Sequence, residues 1–144
     1  MILILSEESD LATDIVCRWL KCHCCGFKRI NAEKASEYEL FVDLNNEKVN
    51  VLLKRQKHKI DLDEISKVWF RRGRLDFMPE KFYINLKPIT INSVNKHFAN
   101  EATTLENFIY YLLRGKSAIN TPATYDYNKL SSWFICLKMS NYFF

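Results

Sequence analysis

The sequence predicts an α/β domain of three layers, with a largely parallel sheet and an antiparallel hairpin at its margin. Three observations carry this prediction. A short continuous apolar run at the start is followed by a capped amphipathic stretch and a second strand-like segment. Two alternating segments then face each other across a polar joint. Further on, a long apolar pattern of helical period fills residues 91–114. A strand, a helix and a strand joined by short connections form a βαβ unit, which makes the sheet parallel from the outset.

Residues 2–5, Ile-Leu-Ile-Leu, read as a strand buried on both faces. Ser9 or Asp10 can cap the next helix, in which Leu11, Ile15, Val16, Trp19 and Leu20 fall on one side. Gly26 is placed to close that helix, and "FKRI" (27–30) forms the second strand. "YELFVDL" (38–44) and "KVNVLLKR" (48–55) alternate apolar with polar residues and pair as a hairpin through Asn45, Asn46 and Glu47. The charged stretch "QKHKIDLDEIS" reads as a solvated loop leading to a strand at Val68–Phe70. Residues 73–90 read as irregular. The long helix then runs through Ile91, Val94, Phe98, Ala102, Leu105, Phe108, Ile109, Leu112 and Leu113 to Gly115. "SAIN" (117–120) fits a short strand, and Leu130, Trp133, Phe134 and Leu137 mark a last amphipathic helix over 128–139.

The chain of 144 residues suits one domain, and its 48% apolar and 26% charged residues are ordinary for a globular protein. Three Gly and three Pro provide no linker. The apolar runs fall well short of the roughly 20 residues that cross a bilayer. "MILILSEESD" lacks the basic start of a signal peptide. A cytoplasmic location without membrane contact is therefore expected, with the five cysteines reduced. A formal charge of +4 is a weak bias toward anionic partners, well below the focused basic excess of nucleic-acid binders.

Two clusters invite chemistry. "CHCC" (22–25) crowds Cys22, His23, Cys24 and Cys25 onto one helix end, where neighbouring residues cannot all point at one ion. No metal is expected there; small buried cysteines and an exposed His are. The second cluster ends the strand in "SKVWFRRGRL" (66–75), where Arg71, Arg72 and Arg74 follow Val68, Trp69 and Phe70. Ligands of open α/β sheets collect outside the carboxyl ends of strands, and an Arg there can fork onto a carboxylate or phosphate. The alternative is a charged, solvated edge. No Gly-rich phosphate loop, nucleophile elbow or oriented His completes a catalytic apparatus in this chain.

The segments "MILILSEESDLATDIVCRWL", "VDLNNEKV", "ISKVWFRRG", "FIYYLLRGKSAINTP" and "YDYNKLSSWFICLKM" together resemble the N-terminal region of ATP-grasp peptide maturases. The grasp-with-spasm type, relatives of the microviridin ligases, is the most similar. Trp69-Phe70-Arg71-Arg72 and the set Asn120, Pro122, Asn128 and Lys129 are the most specific parts; "CLKMSNYFF" departs from the pattern. The resemblance implies a pre-ATP-grasp, Rossmann-like α/β domain over 1–122. Residues 123–144 then form a helix leading toward an ATP-grasp domain missing from this chain. It also implies a carboxylate ligase that crosslinks side chains of a ribosomally made precursor peptide through an acyl phosphate. ATP and magnesium are expected only in a full-length enzyme, and this chain alone is expected to be inactive. Arg71 and Arg72 become candidate substrate-binding residues facing the cleft between lobes, with at least one guanidinium open rather than paired internally. The partners implied are the precursor peptide and a second copy in a homodimer. The competing class is a stand-alone, non-catalytic binding module for an anionic peptide or nucleic acid. In that reading "KRQKHK" (54–59) and "RRGR" (71–74) form one basic surface, and Trp69 or Phe70 stacks on bases.

Overall fold

A computed structural model describes residues 1–45, 48–72, 74–78 and 88–120. Its elements in order are β1 (Ile2–Ser6), α1 (Leu11–Cys22), β2 (Phe27–Asn31), β3 (Glu39–Asn45), β4 (Lys48–Arg55), β5 (His58–Asp61), β6 (Lys67–Phe70), α2 (Pro88–Leu113) and β7 (Ser117–Ile119). Short 3₁₀ turns at Ala32–Glu37 and Leu62–Glu64 join β2 to β3 and β5 to β6. The strands make two sheets, β2-β1-β6-β7 and β3-β4-β5. In the first, β1 runs parallel to β2 and β6, and β6 runs parallel to β7. In the second, every pairing is antiparallel. This is the α/β architecture predicted. The helix expected over 128–139 and the segment 123–144 lie outside the described residues, as does the hairpin joint at 46–47.

Because β1 is flanked on both sides, its period of two sorts side chains cleanly between two cores. Leu3 and Leu5 join Ile30, Val68 and Phe70 on one face, packed with Val51, Leu53 and Ile60 of the second sheet and Phe108, Ile109 and Leu113 of α2. Ile4 faces the other way, into a smaller cluster with Cys17 and Leu20 of α1, against which Ile2, Phe27 and Trp69 pack. Trp69 therefore points inward, beneath α1.

Several elements differ from the sequence reading. Residues 58–61, expected as solvated loop, form β5, whose Ile60 pairs with Leu53 and is buried. Apolar residues spaced through a charged stretch supply the inward face: Ile60, Leu62 and Ile65 all enter the main core. The long helix begins at Pro88 rather than 91, consistent with the tolerance of the first helical position for proline. The buried face of α1 is also displaced. Thr13, Cys17 and Leu20 are its buried residues, while Leu11, Ile15 and Trp19 remain 75%, 66% and 60% exposed.

The end of α1 is closed by a different residue from the one predicted. The amide of Cys25 donates to the Leu20 carbonyl at 2.9 Å and that of Cys24 to the Lys21 carbonyl at 3.1 Å, the paired bonds of a Schellman motif. The left-handed position is Cys24, at φ 54°, not Gly26. This surface turn also explains why Cys22, Cys24 and Cys25 are exposed, against the expectation of buried thiols, and why Cys17 one turn earlier is the buried one. Among the described residues, no helix is long and apolar enough to cross a membrane. Cys24→Gly should raise the free energy of unfolding by about 1 kcal/mol, because a side chain at left-handed backbone costs that much where glycine does not. Urea denaturation of the two proteins provides the measurement.

Candidate functional site

The side of the sheet beneath α1 is built in rows set by the strand register. Ile2 stands level with Phe27 and Lys67, Ile4 with Arg29 and Trp69, and Ser6 with Asn31. The Arg71 amide extends the last row by donating to the Leu5 carbonyl at 2.9 Å. The rows become polar toward the carboxyl ends of the strands, just where α1 begins. That polar end, with the N-terminus of α1 above it, is the candidate site.

Asp10 organises it. As the N-cap of α1 it accepts from the Thr13 amide at 3.5 Å and the Thr13 hydroxyl at 3.0 Å, and its side chain is only 4% exposed. Its Oδ2 lies 3.1 Å from Nε of Arg71. Burial pushes the carboxyl up, but the Thr13 bonds and the charges of Arg71 and Arg72 outweigh it and hold Asp10 below the ordinary carboxylate value. Arg29 supports the same corner: Nε donates to Ser6 Oγ at 2.7 Å, one terminal nitrogen donates to the Glu7 carbonyl at 2.6 Å, and the other pairs with Asp14. Ser6 in turn donates to Asn31 Oδ1 at 3.2 Å.

The three arginines of the opening cluster thus have three different fates. Arg71 shares the parity of Trp69, so it leaves the strand on the α1 side and meets the buried cap carboxylate. Arg71 is thus engaged within the domain, and its side chain stays 30% exposed. Arg72 is exposed, and its charge reaches Asp10. Arg74 forks onto Glu106 of α2, with Nε–Oε1 at 3.3 Å and NH2–Oε2 at 3.0 Å. Glu106 is buried and also accepts from Tyr110 Oη at 2.9 Å, while that hydroxyl accepts the Leu75 amide at 3.1 Å. Arg71 and Arg72 both act on Asp10, Arg71 by direct contact and Arg72 through its charge.

Sequence reading missed Arg29 and Glu106. For Arg29 a signal existed: a cation inside the apolar "FKRI" needs a carboxylate, and Asp14 lies on the adjoining helix. Glu106 interrupts the buried stripe of α2 between Ala102 and Phe108; its partner lies too far along the chain to be named from sequence.

Among the described residues no three His, Cys, Asp or Glu side chains could hold a metal ion, and no glycine-rich turn faces the polar row. Of the basic runs in the binding-module reading, three arginines are engaged by carboxylates. Arg55 pairs with Glu37 at 2.6 Å and lies over the Tyr38 ring, Arg71 meets Asp10, and Arg74 meets Glu106. Phe70 is buried and Trp69 packs beneath α1, so neither ring is presented for stacking.

A parallel sheet with polar groups gathered at its carboxyl end and an antiparallel sheet against its other face defines an α/β domain of the pre-ATP-grasp class. Residues 1–111 match the MvdD pre-ATP grasp domain, and the chain belongs to that family. Solved structures of similar fold include two macrocyclases and a RiPP-associated ATP-grasp ligase. Macrocyclase MdnB from Microcystis aeruginosa MRC is 20% identical at a TM-score of 0.62, over 83% of this chain and 37% of its own. A Chryseobacterium gregarium RiPP-associated ATP-grasp ligase, solved with ADP and a leader and core peptide, is 20% identical at 0.60, over 97% and 40%. Macrocyclase MdnC of the same Microcystis, bound with precursor peptide MdnA, is 17% identical at 0.54, over 76% and 33%. The chain thus spans 33–40% of the length of these three proteins. No curated protein matches it.

Two outcomes are expected from this geometry. Because the folded carboxyl of Asp10 lies below its unfolded value, the stability it contributes is present above the unfolded pKa. It is lost as pH falls through the folded one. Asp10→Asn keeps a capping side chain but removes the charge. It should therefore flatten the acid limb of stability between about pH 5 and pH 2, read by chemical denaturation across that range. Tyr110→Phe leaves the buried Leu75 amide without its acceptor and should cost about 1–3 kcal/mol. Arg74→Ala, whose side chain is 79% exposed, should cost about 1 kcal/mol or less. Denaturation midpoints of the two variants distinguish them.

Proposed function

We propose that this chain is the N-terminal domain of an ATP-grasp carboxylate ligase that crosslinks side chains of a ribosomally made precursor peptide through an acyl phosphate. The observation that carries the reading is the family match over residues 1–111, which takes in nearly all the described residues. Fold similarity to two macrocyclases and a further peptide ligase supports it. Within the proposal, ATP and magnesium bind outside this chain, and the precursor peptide is the partner of the full-length enzyme.

The domain's contribution in this reading is a positively charged carboxyl end of a sheet, turned toward the substrate. Arg71 and Arg72 take different parts in it. Arg71 is held by Asp10 and fixes the exit of β6 relative to α1. Arg72 is exposed and is the side chain suited to meeting an anionic oxygen of the peptide. A guanidinium aimed at developing negative charge contributes chiefly through preorganised electrostatics.

The test has two arms. Calorimetric titration of this chain with ATP and magnesium should give no heat of binding; a micromolar dissociation constant would place the nucleotide site within it and overturn the assignment. In a full-length ligase carrying this domain, Arg72→Ala should slow peptide ligation on the order of 10²-fold and change stability by less than about 1 kcal/mol. Unchanged ligation would remove Arg72 from the site.

A further inference from the structure

The turn that joins α1 to β2 carries chemistry that the proposed function does not use. Cys22, Cys24 and Cys25 place three exposed thiols within four residues. Cys22 and Cys25 have the C-x-x-C spacing of redox-active pairs. Cys24, between them, holds left-handed backbone at φ 54°, a conformation that is costly for a residue with a Cβ and free for glycine. Cys25 Sγ donates to the His23 carbonyl at 3.6 Å, so that sulfur stays against the turn. Strain at a residue set between two thiols couples the shape of this turn to their chemistry.

We propose that this turn is a reversible thiol–disulfide switch: Cys22 and Cys25 close a disulfide as the left-handed bend passes from Cys24 to Gly26. The pairing follows from ring size and backbone. A bond from Cys24 to either of the other two closes a small ring that forces the disulfide off its preferred torsion. In the reduced turn, left-handed Cys24 carries Cys25 off the helical path, and the amides of Cys24 and Cys25 are held by the Lys21 and Leu20 carbonyls. Once Cys24 turns right-handed, residues 22–25 follow one more helical turn, which sets the Cα atoms of Cys22 and Cys25 about 5 Å apart. A disulfide bridges that span. The chain must still bend into β2, and Gly26 is next in line. It is exposed, and a Cβ built on it would meet nothing within 4 Å, so it takes the bend without steric cost. The oxidant is a low-molecular-weight disulfide. One cysteine thiolate attacks it and releases the first small thiol, and the second cysteine attacks the mixed disulfide and releases the other. The cysteines lose two electrons and two protons, which the two released thiols carry away, and Cys24 stays a thiol.

Glutathione is the probe. The full chain is equilibrated across a series of oxidised-to-reduced glutathione ratios, blocked with iodoacetamide and digested. The peptide holding Cys22, Cys24 and Cys25 should become lighter by two hydrogens, with the blocking group on Cys24 alone. Cys24→Ser should leave the disulfide-to-dithiol ratio at a fixed buffer unchanged for the pair, since both residues bear a Cβ. Gly26→Ala should lower that ratio about tenfold, because the bend then falls on a residue with a Cβ. Cys24→Gly should lower it about fivefold, because glycine removes the strain that oxidation relieves. Three blocked thiols in oxidised glutathione, or glutathione adducts in place of an internal bond, would overturn the switch. A disulfide that includes Cys24 would overturn the pairing. A ratio that Gly26→Ala or Cys24→Gly leaves unmoved would overturn the transfer of the bend.

Discussion

The structure depends on β1 being buried on both faces and paired on both edges. Leu3, Ile4 and Leu5 are essentially inaccessible, so neither face can tolerate a slip of one residue, which would exchange the two apolar sets. Parallel pairing in register passes that parity to β2 and β6, and the side chains line up in rows across the sheet. The rows beneath α1 are largely apolar until the carboxyl end, where Ser6, Asn31 and Arg71 take over. A polar row at the border of a core is tolerable only when its groups find partners. Arg29, Asp10, Asp14 and the Glu7 carbonyl supply them. The candidate site is therefore a product of the same alternation that builds the core.

That alternation also explains how adjacent residues serve separate ends. Arg71 carries forward the parity of Trp69 and is drawn to the helix cap, where its charge helps to keep Asp10 ionised. Arg72 leaves this arrangement and stays in solvent. Arg74, two residues further, is claimed by Glu106, so the chain leaving β6 is anchored first to α1 and then to α2. One short basic run thus secures two helices and leaves Arg72 in solvent at the carboxyl end of the sheet, where open α/β domains meet their ligands.

Elements whose pattern rests on their own apolar period were legible in the sequence: β1, β2, the β3–β4 hairpin, β6 and the long α2. Those whose pattern is set by what they pack against were not. α1 has apolar residues on more than one side, and Leu11, Ile15 and Trp19 outweigh Thr13 and Cys17 in hydrophobicity. The surface beneath its first turn is polar, however, and selects Asp10, Thr13 and Asp14 to face it. β5 was hidden because its charges outnumber the few apolar residues that enter the core. The partners of Arg71 and Arg74 were hidden for a related reason: the carboxylates that engage them, Asp10 and Glu106, lie far off in sequence. No local reading could name them.

The distribution of thiols around α1 has a consequence for how this domain can be watched. Cys22, Cys24 and Cys25 lie in the exposed turn, while Cys17 sits beneath the helix against Ile4 and Leu20. Burial also pushes the Cys17 thiol up, which depletes the reactive thiolate. An alkylating reagent will therefore divide the four into a fast class and a slow one. The slow class has a clock of its own, because Cys17, 9% exposed, becomes fully reachable when α1 lifts from the sheet. The same excursion breaks the contact between Asp10 and Arg71. The labelling rate of that one sulfur thus measures how often the candidate site comes apart, with no probe attached to the site itself.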